Sequence, residues 1–210
     1  SDVCSSDLRR LGAMVQAKGA LAMDCPVSGG CHRAATGNIA IFAGGERSAF
    51  EQVLPVLTVL GRRVLHTGEL GTASQLKVVT NFLCTAHLVA LAEAMKHARA
   101  GQPVNAIGAA IERTAKAYGF KVIENLGSHG VGRALHEAPE YIAGTFDPAD
   151  RRRLQAGMVI TIEPFLSTKS RVVTEGADGW VLEGVRGNLS AQYEHTMIIT
   201  DGPPIVVTRH

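Results

Sequence analysis

Charge of one sign, paired cysteines and long apolar runs are all missing from this 210-residue chain, and each absence narrows what it can be. Lys and Arg number 21 against 19 Asp and Glu, for a net charge of +2. With both signs interspersed there is no electrostatic footprint for nucleic acid, and none for a charged membrane. The Arg151-Arg152-Arg153 run reads as a solvated loop or helix face. No apolar run approaches the roughly 20 residues that span a bilayer, and no signal peptide is recognisable. The four cysteines, Cys4, Cys25, Cys31 and Cys84, form no C-x-x-C pair. They suit a reduced, cytoplasmic protein better than a disulfide scaffold. Also absent are an initiator Met and, upstream of Asp24, any G-x-G-x-x-G turn. What is present is 46% hydrophobic and 19% charged residues, enough to bury the core of one domain or two small ones.

Residues 1–8, Ser1-Asp2-Val3-Cys4-Ser5-Ser6-Asp7-Leu8, show neither helix nor strand period and back-translate to a common sequencing-library adapter. They are expected to be a cloning or read-through scar outside the fold, a disordered natural terminus being the alternative. A short amphipathic helix is expected over residues 11–18 and a strand over 20–23, running into the Gly-rich turn Ser28-Gly29-Gly30. Strands are expected at 38–44 and 63–67. Between them, Phe50, Val53, Leu54, Leu57 and Leu60 make a helical stripe interrupted by Pro55. A long helix is expected from Gly71 to about Ala100. This α/β alternation predicts a mainly parallel sheet.

Residues 11–95 resemble the 3-hydroxyisobutyrate dehydrogenase family of β-hydroxyacid dehydrogenases. The resemblance rests on Asp24-Cys25-Pro26-Val27-Ser28-Gly29-Gly30 with Arg33, Ala34 and Gly37 following, and on Gly71-Thr72-Ala73-Ser74-Gln75-Leu76-Lys77 with Asn81. It implies a partial, Rossmann-like dinucleotide-binding segment in which Ser28, Gly29, Gly30 and Asn81 bind substrate and Lys77 is the catalytic acid/base. Ala73 replaces a usual Gly. Without the Gly-rich turn that cradles a pyrophosphate, the NAD(P) site is expected to be incomplete.

The second half changes character. Val104, Ile107, Ala110, Ile111, Ala115 and Tyr118 share one helical face over residues 104–119, with Pro103 in its first turn. Strands are then expected at 120–124, 158–163, 172–174, 180–185 and 194–200, with Gly127-Ser128-His129-Gly130-Val131-Gly132 as a turn. A helix beside several antiparallel strands is α+β. One His and two Glu on separate segments, His129, Glu163 and Glu194, are the ligand types a hard divalent cation takes in a hydrolase.

From about Ala98 onward the chain resembles type I methionine aminopeptidase, of the pita-bread metallopeptidase fold. The matching motifs are Ser128-His129-Gly130-Val131-Gly132-Arg133 with His136-Glu137-Ala138-Pro139, then Gly157 to Pro164, Asp178-Gly179-Trp180, and Ser190-Ala191-Gln192-Tyr193-Glu194-His195-Thr196. Ser128 stands where a Gly is usual. The resemblance implies divalent metal (Co, Mn, Fe or Zn) on His129, Glu163 and Glu194. Glu163 doubles as proton acceptor, and His136 is catalytic at the substrate amide. The nascent peptide N-terminus is the implied partner. The family's site takes two further Asp from strands upstream of the His motif, and between Ala98 and Ser128 there is no Asp.

The expected organisation is therefore a scar at 1–8, a partial dehydrogenase segment at 9–95 and a partial aminopeptidase segment at 96–210, joined by gene fusion or an assembly crossover near Met95-Lys96. Three functions stand open. They are metal-dependent removal of N-terminal Met, weakened by the missing Asp pair; NAD(P)-dependent oxidation of a 3-hydroxy acid; and a non-catalytic chimeric remnant. Partial folds also leave unpaired sheet edges, so self-association is expected.

Overall fold

The computed structural model describes residues 2–208, so Ser1 of the adapter-like stretch, Arg209 and His210 lie outside it. The chain divides into two compact units between Asn81 and Phe82.

The first unit opens with helix α1, Asp2–Gln16. This corrects the irregular start expected for residues 1–8 and moves the helix expected at 11–18. No Gly or Pro interrupts residues 2–11, so nothing breaks helical propagation there. Residues 20–23 form no strand. Pairing begins with an isolated bridge from Asp24 to Gly44 and continues in β1, Val27–Ser28. Pro26 has no N–H to donate, which keeps the pairing in short pieces. Helix α2, Gly30–Ala35, leads into β2, Ala40–Gly44; helix α3, Arg47–Leu60, leads into β3, Arg63–Gly68.

The sheet order is β1-β2-β3, with β1 antiparallel and β3 parallel to β2. The mainly parallel sheet expected here is therefore mixed. A parallel crossover needs a dozen or more residues, which the link through α3 supplies and the shorter link through α2 does not. The core gathers Ile39, Ile41, Ala43, Phe50 and Leu57, with Leu54 and Val64 packed against it. Val53 and Leu60, expected on the buried stripe, are exposed. Pro55 lies inside α3 without breaking it; the Glu51 carbonyl it leaves unbonded belongs to an exposed residue.

Helix α4, Thr72–Met95, begins in the first unit and ends in the second. Its N-terminus is held by buried Asp24, whose carboxylate accepts the Gly71 and Ser74 N–H groups at 2.7 Å each. These are two of the donors a helix start leaves without an internal partner. Polar residues interrupt α4, so it holds no apolar run of spanning length, although by overall length and composition it is apolar enough to cross a membrane, with mean hydropathy 1.5 over 18 residues. Its C-terminal half contributes Leu83, Ala86, Ala90, Leu91 and Ala94 to the core of the second unit. Cys25, Cys31 and Cys84 are free thiols.

The second unit continues with α5, Asn105–Ala117; β4, Lys121–Val122; β5, Gly127–Gly130; β6, Glu137–Ala143; β7, Val159–Ile162; and β8, Phe165–Ser167. Four further strands follow: β9, Thr174–Glu175; β10, Leu182–Glu183; β11, Ser190–Gln192; and β12, His195–Ile198. The last is β13, Ile205–Val206.

Five strands pair in the order β13-β12-β7-β5-β6, every pairing antiparallel. The predicted apolar face of α5 is buried as expected, with Ile107 and Ala110 fully enclosed. It packs in one core with Ile142, Ile160, Ile162, Leu166 and Met197. The Arg151–Arg153 run is exposed but not merely solvated: Arg152 pairs with Asp150 at 2.7 Å and Arg153 donates to the Gly101 carbonyl at 2.6 Å. The β9–β10 hairpin carries Trp180 at its tip, 89% exposed.

Candidate metal centre

Three neighbouring strands of the five-stranded sheet bring the three predicted donors together. His129 lies on β5, Glu163 directly follows β7, and Glu194 directly precedes β12. The register pairs His195 with Ile162, and one more step along that ladder sets Glu194 level with Glu163. The ligand atoms of His129, Glu163 and Glu194 all lie within 4.8 Å of one another.

The segment around His129 was expected as a turn, and it is a strand. Its glycines serve close approach rather than reversal. A Cβ on Gly130 would stand 2.5 Å from the Ala138 carbonyl, and one on Gly127 2.5 Å from that of Ile142. Only Gly lets β5 lie this near β6.

The electrostatics favour a cation. His129 and Glu163 are buried, whereas Glu194 is exposed. Burial, and then the charge of Glu194, push the Glu163 carboxyl above its ordinary range, against the pull of hydrogen bonds from Thr161 and Gln192. His129 Nδ1 sits 2.9 Å from the Gly130 carbonyl, which can only accept, so Nδ1 carries the proton of that bond. Nε2 faces Glu163 Oε1 at 3.1 Å. In the neutral ring this juxtaposes two lone pairs, an arrangement that calls for a proton or a metal ion. Two ligands with bonds of ~2.0–2.2 Å to one small divalent ion take a separation of this size. The donor set present therefore fits a divalent cation, with three protein ligands and no Asp beside them among the described residues.

His136, predicted to contact substrate, is exposed, and its ring centroid lies 4.0 Å from that of His129. The dehydrogenase-type residues are arranged differently. Lys77 and Asn81 are one helical turn apart on α4 and so share a face. Among the described residues no hydrogen bond or ion pair joins Lys77 to the Ser28-Gly29-Gly30 turn.

Three residues were missed. Thr161 donates to Glu163 Oε1 at 3.1 Å, Gln192 donates to Glu163 Oε2 at 3.2 Å, and Ser128 Oγ accepts the Glu163 N–H at 3.0 Å. Strand alternation could have found Thr161, since it sits two residues before Glu163 on the same face.

Known proteins divide the chain in the same sense as its two kinds of fold. The family profile for metallopeptidase family M24 matches residues 67–201, and the chain belongs to that family. Residues 1–68 match the profile of the NAD binding domain of 6-phosphogluconate dehydrogenase, so an NAD-binding segment precedes the metallopeptidase segment in one chimeric chain. A methionine aminopeptidase of Bacillus subtilis is 41% identical over 127 residues, 60% of this chain and 51% of its own length. That of Aquifex aeolicus is 42% identical over 120 residues, covering 57% and 46%. Among solved structures, methionine aminopeptidase from Thermotoga maritima aligns with a TM-score of 0.58 at 30% identity, covering 68% of this chain and 55% of its own. The chain thus spans about half the length of the curated relatives it matches. Membership of family M24 implies a divalent metal.

Proposed function

We propose that the second unit binds one divalent cation on His129, Glu163 and Glu194, and that its reaction is hydrolytic release of an N-terminal Met from a peptide, at a reduced rate. The observation carrying this is the convergence of those three ligand atoms within 4.8 Å around a buried carboxylate. The cation's contribution is to polarise the scissile carbonyl and acidify water. Glu163, buried beside the other two donors, takes the proton that water gives up. His136, exposed beside the His129 ring, donates to the developing negative charge on the amide oxygen. The reduced rate follows from the donor count: with no Asp pair beside the three donors among the described residues, the reading has one cation and no second one to share its carboxylates.

The dehydrogenase reading rests on motif and profile alone. The junction of the two segments is proposed near Met95-Lys96, where α4 ends. Full-length protein titrated calorimetrically with Co²⁺ or Mn²⁺ should bind one equivalent, and should cleave a Met-Ala-Ser peptide slowly in its presence. Absence of binding would overturn the reading. Robust turnover with NAD⁺ and 3-hydroxyisobutyrate would replace it.

A further inference from the structure

Strands β5 and β7 share a single backbone-paired position, Gly130 with Ile160. Beyond it, at the ligand-bearing residues, the two strands are joined by side-chain hydroxyls instead. The His129 N–H donates to Thr161 Oγ1 at 3.1 Å, and the Glu163 N–H donates to Ser128 Oγ at 3.0 Å. One bond runs from β5 to a hydroxyl of β7, and the other returns from the end of β7 to a hydroxyl of β5. The Thr161 hydroxyl spends its own proton on Glu163 Oε1 at 3.1 Å. It therefore accepts from the backbone of one donor residue and fixes the carboxylate of another. Ser128, Thr161, His129 and Glu163 are all buried, with Thr161 at 1% exposure, so water does not compete for these bonds.

We infer that Ser128 and Thr161 form a reciprocal hydroxyl clamp that positions His129 and Glu163 for the cation. The inference rests on the metal-site reading above. Glu163 Oε1 has one lone pair directed to Thr161 and one left facing His129 Nε2, so the clamp decides which lone pair is free for the metal. Ser128 gives this chain half of that clamp at a position where the resembling family has Gly. A Gly there would leave the Glu163 N–H without this acceptor. Neither residue touches the reacting atoms; both are positioning residues.

The test is titration of the full chain with Co²⁺ alone, followed by visible absorption, together with hydrogen exchange at the His129 and Glu163 amides. Thr161→Val should weaken Co²⁺ binding by about 10–100-fold, the loss typical when a group orienting a ligand is removed. It should also shift the Co²⁺ absorption bands and speed exchange at the His129 amide, and Thr161→Ser should restore all three. Ser128→Ala should speed exchange at the Glu163 amide with a smaller loss of affinity. Thr161→Val binding Co²⁺ like the parent, with an unchanged spectrum, would overturn the clamp. If Thr161→Val fails to fold, Ser128→Ala decides: unchanged Glu163 exchange and unchanged affinity overturn it. A parent chain that binds no Co²⁺ sinks the metal-site reading instead. In that case unchanged amide exchange in both variants removes the clamp as well.

Discussion

Asp24 and Glu163 are both buried acids, at 6% and 8% exposure, yet the regions around them treat a carboxylate in opposite ways. Around Asp24, the start of α4 presents two N–H groups at 2.7 Å, one to each oxygen. The acid is thereby spent on holding a helix end. Around Glu163, hydrogen bonds from Thr161 and Gln192 are outweighed by burial and by Glu194, which push its proton affinity up. A buried acid answered by backbone N–H groups is structural. One set against a second acid and an imidazole lone pair leaves negative charge that the protein does not answer, as the proposed cation site requires.

Substitution at the two acids should separate these roles. The largest effect is expected from Glu163→Gln, which should lower Co²⁺ affinity by about 100-fold or more, since even groups that only orient a ligand contribute about 10–100-fold. Its metal-free stability at neutral pH should not fall, because the change removes a like charge beside Glu194; calorimetry and urea unfolding measure the two. Asp24→Ala should do the converse, costing about 2 kcal/mol in urea unfolding through the orphaned Gly71 and Ser74 N–H groups, with Co²⁺ affinity unchanged. Equal effects of both substitutions on metal binding would erase the distinction.

A third buried group sharpens it. His87 is 2% exposed, its Nε2 lies 3.2 Å from the Tyr193 carbonyl, and its Nδ1 has no hydrogen-bond partner among the described residues. Burial lowers its pKa, opposed by the bond to Tyr193. The unfolded chain, with an ordinary value near ~6.5, therefore takes up a proton that the folded chain refuses. Stability should fall as pH drops below that ordinary value, towards the lowered one. Urea midpoints of the parent and His87→Leu across pH 5–8 check this, since the variant should lose that slope. The smallest effect is expected at Arg47, whose exposed pairing with Glu51 at 2.7 Å one helical turn away should be worth about 0.3–0.5 kcal/mol when Arg47→Ala is unfolded in the same way.

Candidate donors could be named from residue type alone, a His and two Glu in recognisable motifs, and the fold brings their ligand atoms within 4.8 Å of one another. The α5 face was legible because its apolar residues repeat at helical spacing. Strand β5 was not, since glycines that permit a turn also permit two strands to lie unusually close. The Asp24 cap was out of reach as well. Its partners lie 47 and 50 residues away, and no local pattern announces them. Lys77 and Asn81 illustrate the limit of local periodicity, which sets two residues on one helical face without saying what that face meets.

Trp180 bears on how any of this can be followed in solution. It is the chain's single indole and stands almost wholly in water at the tip of the β9–β10 hairpin. Its fluorescence should therefore change little when the protein unfolds, leaving circular dichroism to report the fold. The same emission would shift to the blue if anything came to cover that hairpin, so the residue that is silent about folding is well placed to signal association.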